Sequence, residues 1–445
     1  MNKRESFSST LAVFLATLGS AVGLGNIWKF PSVLGNNGGG AFILVYICCL
    51  LLIGIPILVS EFLLGFSSKV NVLSMPEKMK VSKFWKIIGY MGIASAFLIM
   101  FFYTSIAGLV YSYVFKAIGG IFNNTNPDLV SGIFAEASLN PLHILFWQIV
   151  VIVVVCTITI AGVKKGIERV TKILMPILLG LLVMVAVISL TLPDAMIGVK
   201  FLLEPDFSKI TASVVLSAMG LAFFKISLGI GTMMTYASYF NKDTNLLKTA
   251  CSVAFADMAV SVLAGLAIFP ALFSFGFAET GGPSLLFITI PMVFSKIVGG
   301  QFLTIAFFIL CSIAATTAII SMIEVPVAYL SESRNMSRLK ANVISGIIIV
   351  MFGSLAALSI DSSAVLGGIK IMGLTIFDLY DFITSNLLMP LGGIFIALLC
   401  ARFIDKRYIT DSLGKVSPLY IKILCFVSLP AIALIFVTTF INAFF

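Results

Sequence analysis

The stretch Gly19-Ser20-Ala21-Val22-Gly23-Leu24-Gly25-Asn26-Ile27-Trp28-Lys29-Phe30-Pro31 interrupts the first long apolar run of the chain. A run of that length crosses a bilayer as a helix, because hydrocarbon offers no partner to unpaired backbone groups. Three glycines, an asparagine, a lysine and a proline break the helix here. Irregular backbone is tolerated in a membrane only where protein or a water-filled cavity surrounds it, so two half-helices flanking a polar site are expected.

The rest of the sequence agrees with a membrane setting. Of 445 residues, 60% are hydrophobic and 11% charged, too apolar for a soluble domain and too long for an anchor. The net charge of +9 is dispersed between apolar segments and reads as topology signal rather than a nucleic-acid surface. Seven cysteines, all in apolar segments and without metal-type spacing, read as small buried hydrophobes. His143 is the one histidine, which argues against histidine-based metal or proton-relay chemistry. No Walker-type loop and no cleavable signal are evident.

With about 20 apolar residues as the minimum for a span, eleven are expected: 8–36, 40–67, 84–119, 143–162, 168–192, 212–240, 246–276, 299–332, 339–359, 372–402 and 419–443. The amino terminus and the connections after even-numbered spans hold 21 Lys and Arg, whereas the opposite set holds Lys116, Lys200, Lys209, Lys296 and Lys370. That bias places the amino terminus in the cytoplasm and, with an odd number of spans, the carboxyl terminus outside, and the plasma (inner) membrane is the expected location. Two basic residues, Lys29 and Lys225, fall within spans. Of the outside loops, 120–142 carries turn formers and an acceptor-type sequon at Asn123, and 277–298 looks re-entrant.

Span six repeats the anomaly of span one. Phe223-Phe224-Lys225-Ile226-Ser227-Leu228-Gly229-Ile230-Gly231 places a lysine, a serine and two glycines in mid-span, five spans after the first break. Paired interruptions of this kind point to an inverted-repeat transporter with its site at the midplane. Exposed amides at half-helix starts suit a carboxylate, and exposed carbonyls at half-helix ends suit a cation. Such a centre fits a zwitterion.

The first break, together with Asn37-Gly38-Gly39-Gly40-Ala41-Phe42, resembles the first-helix signature of the neurotransmitter:sodium symporter family. Similar family motifs are Gly54-Ile55-Pro56 with Glu61, Gly166-Ile167-Glu168-Arg169, Thr235-Tyr236-Ala237-Ser238-Tyr239 and Glu324-Val325-Pro326-Val327-Ala328-Tyr329-Leu330. The likeness runs over essentially the whole chain and is closest to the bacterial eleven-span branch that carries amino acids. It implies an all-α integral membrane protein of the leucine-transporter fold, a single transporter domain over 1–445. Two inverted five-helix repeats (8–192 and 212–402), with helices 1 and 6 broken, would be followed by an eleventh helix (419–443).

The resemblance also implies roles. The substrate carboxylate would lie against the backbone of Leu24 and Gly25 and the Tyr103 hydroxyl. Gly23, where monoamine carriers have an aspartate, favours a substrate that brings its own carboxylate. Ala21, Ile99, Phe224, Lys225, Ser227, Ile230, Ala318, Ile319 and Met322 would complete the substrate site. The largely apolar wall among them suits a neutral hydrophobic or aromatic amino acid. Lys29 and Asp381 match the extracellular gate pair, although a lysine lacks the planar fork of the family's arginine, so a looser, water-bridged gate is expected. Arg4 and Glu332 match the cytoplasmic pair.

Both ion sites depart from the family pattern. At the first sodium position Lys225 and Asp257 stand near Asn26, and a buried ammonium and carboxylate are tolerable only as a pair. The Lys225 ammonium is therefore expected to replace that ion, donating to Asp257, Asn26 and the substrate. At the chloride-linked position Tyr46 and Ser261 remain, but Leu221 replaces a glutamine and Asp257 adds a negative charge, so chloride dependence is not expected. The second sodium would be held by carbonyls of Gly19, Val22 and Ala314 and the hydroxyl of Thr317. Ala318 lacks a neighbouring hydroxyl, so this site is expected to be weakened.

These readings favour sodium-coupled uptake with one ion. Sodium-independent exchange, proton coupling through Lys225, and a non-transporting amino-acid sensor are alternatives; with no catalytic set in view, an enzyme is not expected. The expected partners are a small amino acid and membrane lipid, with no sign of nucleic acid or an obligate protein partner.

Overall fold

A computed structural model of the chain describes residues 5–123, 126–276 and 283–444. Among these residues nine helices are long and apolar enough to cross a membrane: Gly40–Ser68, Lys83–Ile118, Pro141–Ile160, Val163–Leu190, Leu246–Ser274, Gly300–Ser333, Arg338–Ala357, Ile376–Phe403 and Lys406–Ile441. The first span is a bent pair, Thr10–Ala21 and Gly25–Asn36, meeting at 56°. The sixth is also split, into Ala212–Lys225 and Thr232–Ala237. With these two the fold is the eleven-span inverted-repeat architecture.

Local chemistry sets most helix starts. Ser9, Asn140, Asn245, Ser337 and Thr375 each stand just before a span and accept a hydrogen bond from the first-turn backbone. This satisfies donors that a helix start leaves orphaned. Proline governs the irregular turns. Five of the seven widened, π-type turns among the described residues, Gly25–Lys29, Leu50–Gly54, Leu285–Thr289, Ile383–Leu388 and Leu424–Ser428, end two residues before a proline. A proline lacks its N–H and crowds the carbonyl four residues back, and a wider turn relieves both problems.

Span eight, Gly300–Ser333, is buried over most of its length and packs against span three, span five and the first half of span one. Spans four, five and eleven turn most of their surface outward. Small residues set the closest approaches to the broken helices. A methyl group at Gly65 would lie 2.0 Å from the Met234 carbonyl oxygen, and one at Gly229 would lie 2.3 Å from that of Met389.

Several boundaries differ from the sequence expectation. Span eleven is preceded by a separate amphipathic helix, Lys406–Leu413, capped by Asp405 and ended at Gly414 (φ 55°), and its own apolar helix starts at Ser417, close to the expected 419. Span five begins at Val163, in a widened turn after Gly162 at φ +91°. The turn-rich loop 120–142 contains the helix Pro127–Leu139, started by Asn126 as its cap. Of the loop 277–298, residues 277–282 lie outside the described residues, and its second half is occupied by the helical stretch Leu285–Ser295.

Gly65→Ala is expected to destabilise the protein by about 1–3 kcal/mol, because the added carbon meets backbone rather than a movable side chain. Thermal unfolding in detergent checks this, with Gly132→Ala, where nothing lies within 4 Å of the added carbon in the helix Pro127–Leu139, as the control that loses no stability.

Candidate substrate and ion site

The first half of span one ends at Ala21, and Val22 turns to extended backbone at φ −79°, ψ 111°. The amides beyond the break are met by side chains. Gly23 N–H donates to Asn26 Oδ1 at 3.1 Å, and Leu24 N–H donates to the Tyr103 hydroxyl at 3.0 Å. A methyl group at Gly23 would sit 3.0 Å from that hydroxyl, so glycine keeps the tyrosine in reach of the break.

Lys225 is the last residue of Ala212–Lys225, where the helix dipole favours a cation. Its ammonium lies 2.9 Å from Asp257 Oδ2, with both side chains fully buried, and it donates to the Ser261 hydroxyl. The rings of Phe30 and Tyr46 face it at 4.6 and 4.8 Å from their centroids. Asn26 joins from the carboxylate side, its amide nitrogen donating to Asp257 Oδ1 at 2.6 Å and to Ser261 Oγ at 3.0 Å. The expectation that Lys225 donates to Asn26 is not met. The Asn26 carbonyl oxygen is taken by the Gly23 amide, so asparagine instead donates to the carboxylate with which the lysine forms its ion pair.

Span six reopens beyond Lys225 through left-handed backbone at Ser227 (φ 55°), Gly229 (φ 77°) and Gly231 (φ 81°). The buried carboxylate of Glu61 holds the freed amides, accepting from Gly229 N–H at 2.7 Å and Met234 N–H at 3.3 Å. The Ser227 hydroxyl crosses to the Ser20 carbonyl at 3.2 Å, tying the two breaks together.

Between the breaks lies a cavity of about 50 Å³. Its lining includes Ala21, Gly23, Gly25, Ile99, Tyr103, Phe224, Lys225, Ser227, Ile230, Ala318 and Met322 of the expected set, plus Ser20. Leu24 enters through its backbone only. Ile319 packs into the core at 1% exposure and does not line the cavity, because its side chain leaves span eight on another face.

Span one's first half meets span eight at two of the positions expected to hold a second cation, Gly19 and Thr317. Gly19 packs on Thr317 and Met175, and the Thr317 hydroxyl is 3.2 Å from the Ala314 carbonyl. Val22 and Ala314 are fully buried as well. This set is made of neutral oxygens, and no cluster of three His, Cys, Asp or Glu suited to a metal occurs among the described residues.

On the outer side, Lys29 makes no ion pair with Asp381 among the described residues. Its ammonium lies 3.7 Å from the centroid of the Phe224 ring, while Asp381 accepts from Ser385 at 2.7 Å. On the inner side Arg4 lies outside the described residues, and Glu332 accepts from the Asn71 amide at 2.9 Å. Sequence reasoning missed the denser inner cluster. Arg338 forks onto Glu324 at 2.7 and 3.1 Å, and Tyr239 donates to the same carboxylate at 2.7 Å. Phe7 sits edge-on against both Tyr236 and Tyr239. In sequence Glu324 stands out only as part of a motif, and its partner begins the next helix, so spacing gives no signal for the pair.

The model of the sodium:neurotransmitter symporter family matches residues 4–125 and 131–444. A sodium-dependent transporter of Bacillus subtilis, itself uncharacterized, is 39% identical over 91% of this chain and 89% of its own. One from Haemophilus influenzae, also uncharacterized, is 37% identical over 90% and 89%. The crystal structure of MhsT in complex with L-phenylalanine superposes with a TM-score of 0.90 at 42% identity, covering 98% of this chain and all of that one. With the family model matched over nearly the whole chain and the two broken spans in place, this chain belongs to the sodium:neurotransmitter symporter family.

Proposed function

We propose that this sodium-dependent transporter carries a neutral hydrophobic or aromatic L-amino acid inward with one sodium ion, the Lys225 ammonium taking the place of a first sodium. The observation that carries this reading is the fully buried Lys225–Asp257 pair at 2.9 Å, beside the cavity and at the end of a broken helix. An ammonium fixed there supplies one positive charge without an ion. Asp257 neutralises it, which removes the need for chloride beside Tyr46 and Ser261. The substrate's carboxylate would meet Gly25 and Tyr103, and its side chain Ile99, Ile230, Ala318 and Met322. MhsT, similar over the whole chain, is known in complex with L-phenylalanine, which supports a substrate of that class.

The mobile sodium would sit between Gly19, Val22, Ala314 and Thr317, joining span one's first half to span eight. At about 50 Å³ the cavity falls well below the 300–1,000 Å³ or so of most small-molecule sites, so a substrate enters only as the half-helices part. Sodium bound between the two spans would favour the outward-open arrangement, and its release inward would free the cytoplasmic path. The lysine and arginine bias supports an amino terminus in the cytoplasm and a carboxyl terminus outside, and the bacterial relatives support the plasma (inner) membrane as its location.

Uptake of labelled L-phenylalanine into proteoliposomes is expected to fall at least tenfold when external sodium is replaced by potassium, and to ignore replacement of chloride by gluconate. Uptake that persists without sodium at several pH values would instead support exchange or proton coupling, and binding without accumulation would support a sensor. Lys225→Ser leaves Asp257 buried without its partner, a loss of about 3–5 kcal/mol in sodium-free buffer. Sodium is expected to restore much of that stability and to become more strongly required for binding. A variant whose sodium dependence and affinity match the parent would show that Lys225 does not occupy an ion position.

A further inference from the structure

A second and larger cavity, of about 440 Å³, opens on the outside of the bundle between spans three, four, five and eight. Val150, Val154 and Ile158 form one wall and Ile309 and Ile313 the other, with Trp147 at one end. Three hydroxyls also reach it, and all are satisfied within the protein. Tyr111 and Thr316 share a hydrogen bond of 2.6 Å, Thr316 reaches the Ser312 carbonyl at 2.6 Å, and Ser312 reaches that of Phe308 at 2.8 Å. The groove therefore has no hydroxyl donor left over for a polar ligand.

Its dimensions and ends narrow the occupant. From Trp147 to Ile158 is eleven residues of helix, about 16 Å of rise, close to the ~15 Å of one leaflet's hydrocarbon. At the Trp147 end, Phe115 and Phe146 pack on the indole at 5.1 and 5.4 Å between centroids, and both are mostly exposed. Aromatic clusters of this kind sit at headgroup level. Lys116, in the last turn of span three, adjoins Phe115 there and lies within electrostatic reach of His143, with Glu136 the acid near the same imidazole. Lys116 forms no ion pair among the described residues. An apolar channel about one leaflet deep, with an aromatic rim and with Lys116 next to that rim although outside the lining, has the form of a seat for one lipid.

We propose that this groove binds an anionic phospholipid, one acyl chain lying along Val150, Val154 and Ile158 and the phosphate meeting Lys116. The lipid braces span eight from outside, since Ile313 and Thr316 in the groove are sequence neighbours of Ala314 and Thr317, which face the interior. The proposal is independent of the transported substrate and of the ion count.

Native mass spectrometry of the full chain from nanodiscs of phosphatidylglycerol or of phosphatidylcholine with the same acyl chains tests it. The parent protein is expected to retain one phosphatidylglycerol at roughly tenfold higher occupancy than phosphatidylcholine and to unfold at higher temperature in the former. Val154→Trp, which fills the groove from its lipid side, is expected to lose the retained lipid and the thermal gain. Lys116→Gln is expected to hold both lipids alike. Val183→Trp, at an exposed position of span five outside the groove, is expected to behave as the parent. Equal retention of both lipids by the parent, or undiminished phosphatidylglycerol on the groove-filling variant and on Val150→Trp, overturns the assignment.

Discussion

The structure depends on the way a membrane protein satisfies backbone that has left its helix. Span six is open over six residues in a medium that offers no water, and the Glu61 carboxylate takes the amides of Gly229 and Met234 that result. Span two thereby fixes the shape of span six. The two glycines of near-zero clearance, Gly65 against Met234 and Gly229 against Met389, let backbone approach backbone on either side of the same break. Remove that clamp and the freed groups would be satisfied most cheaply by a continuous helix, which would close the cavity between spans one and six.

Around that opening the charges are arranged so that none is isolated. The ammonium of Lys225 arrives at a helix end, two aromatic faces cover it, and the Asp257 carboxylate is held in turn by Asn26. Asn26 also binds the Gly23 amide, so the break of span one and the charge pair share one side chain. Movement of the half-helices therefore acts on this network directly. The end of the bundle that holds Phe7 uses the same logic at larger scale, where the Arg338 fork on Glu324 and Phe7 against two tyrosines pack together.

Much of the fold was legible because its signals are local. Runs of some twenty apolar residues, caps such as Ser9 and Asn245, and the glycines of residues 19–25 and 229–231 act within a turn or two of chain. The proposed pairing of Lys225 with Asp257 was also accessible, since two charges within spans can scarcely be buried apart. Other features carried no such signal. The amphipathic helix Lys406–Leu413 that precedes span eleven is not apolar enough to read as membrane helix. Ile319 and Met322 look alike in sequence, yet one faces core and the other the cavity. Arg338 and Glu324 are separated by a helix end, and only the turn between spans eight and nine brings them together.

The sequence alone determined that the chain is a bundle of membrane helices interrupted at two equivalent places, because hydropathy and helix breaking are properties of short stretches. The tertiary structure alone decided which acceptor each buried donor finds. Asn26 turns its oxygen to Gly23 and its nitrogen to Asp257, leaving Lys225 to the carboxylate and Ser261. It also decided that Lys29 rests on the Phe224 ring rather than on Asp381. Such choices depend on directions and distances between elements far apart in the chain, and residue order does not encode them one position at a time.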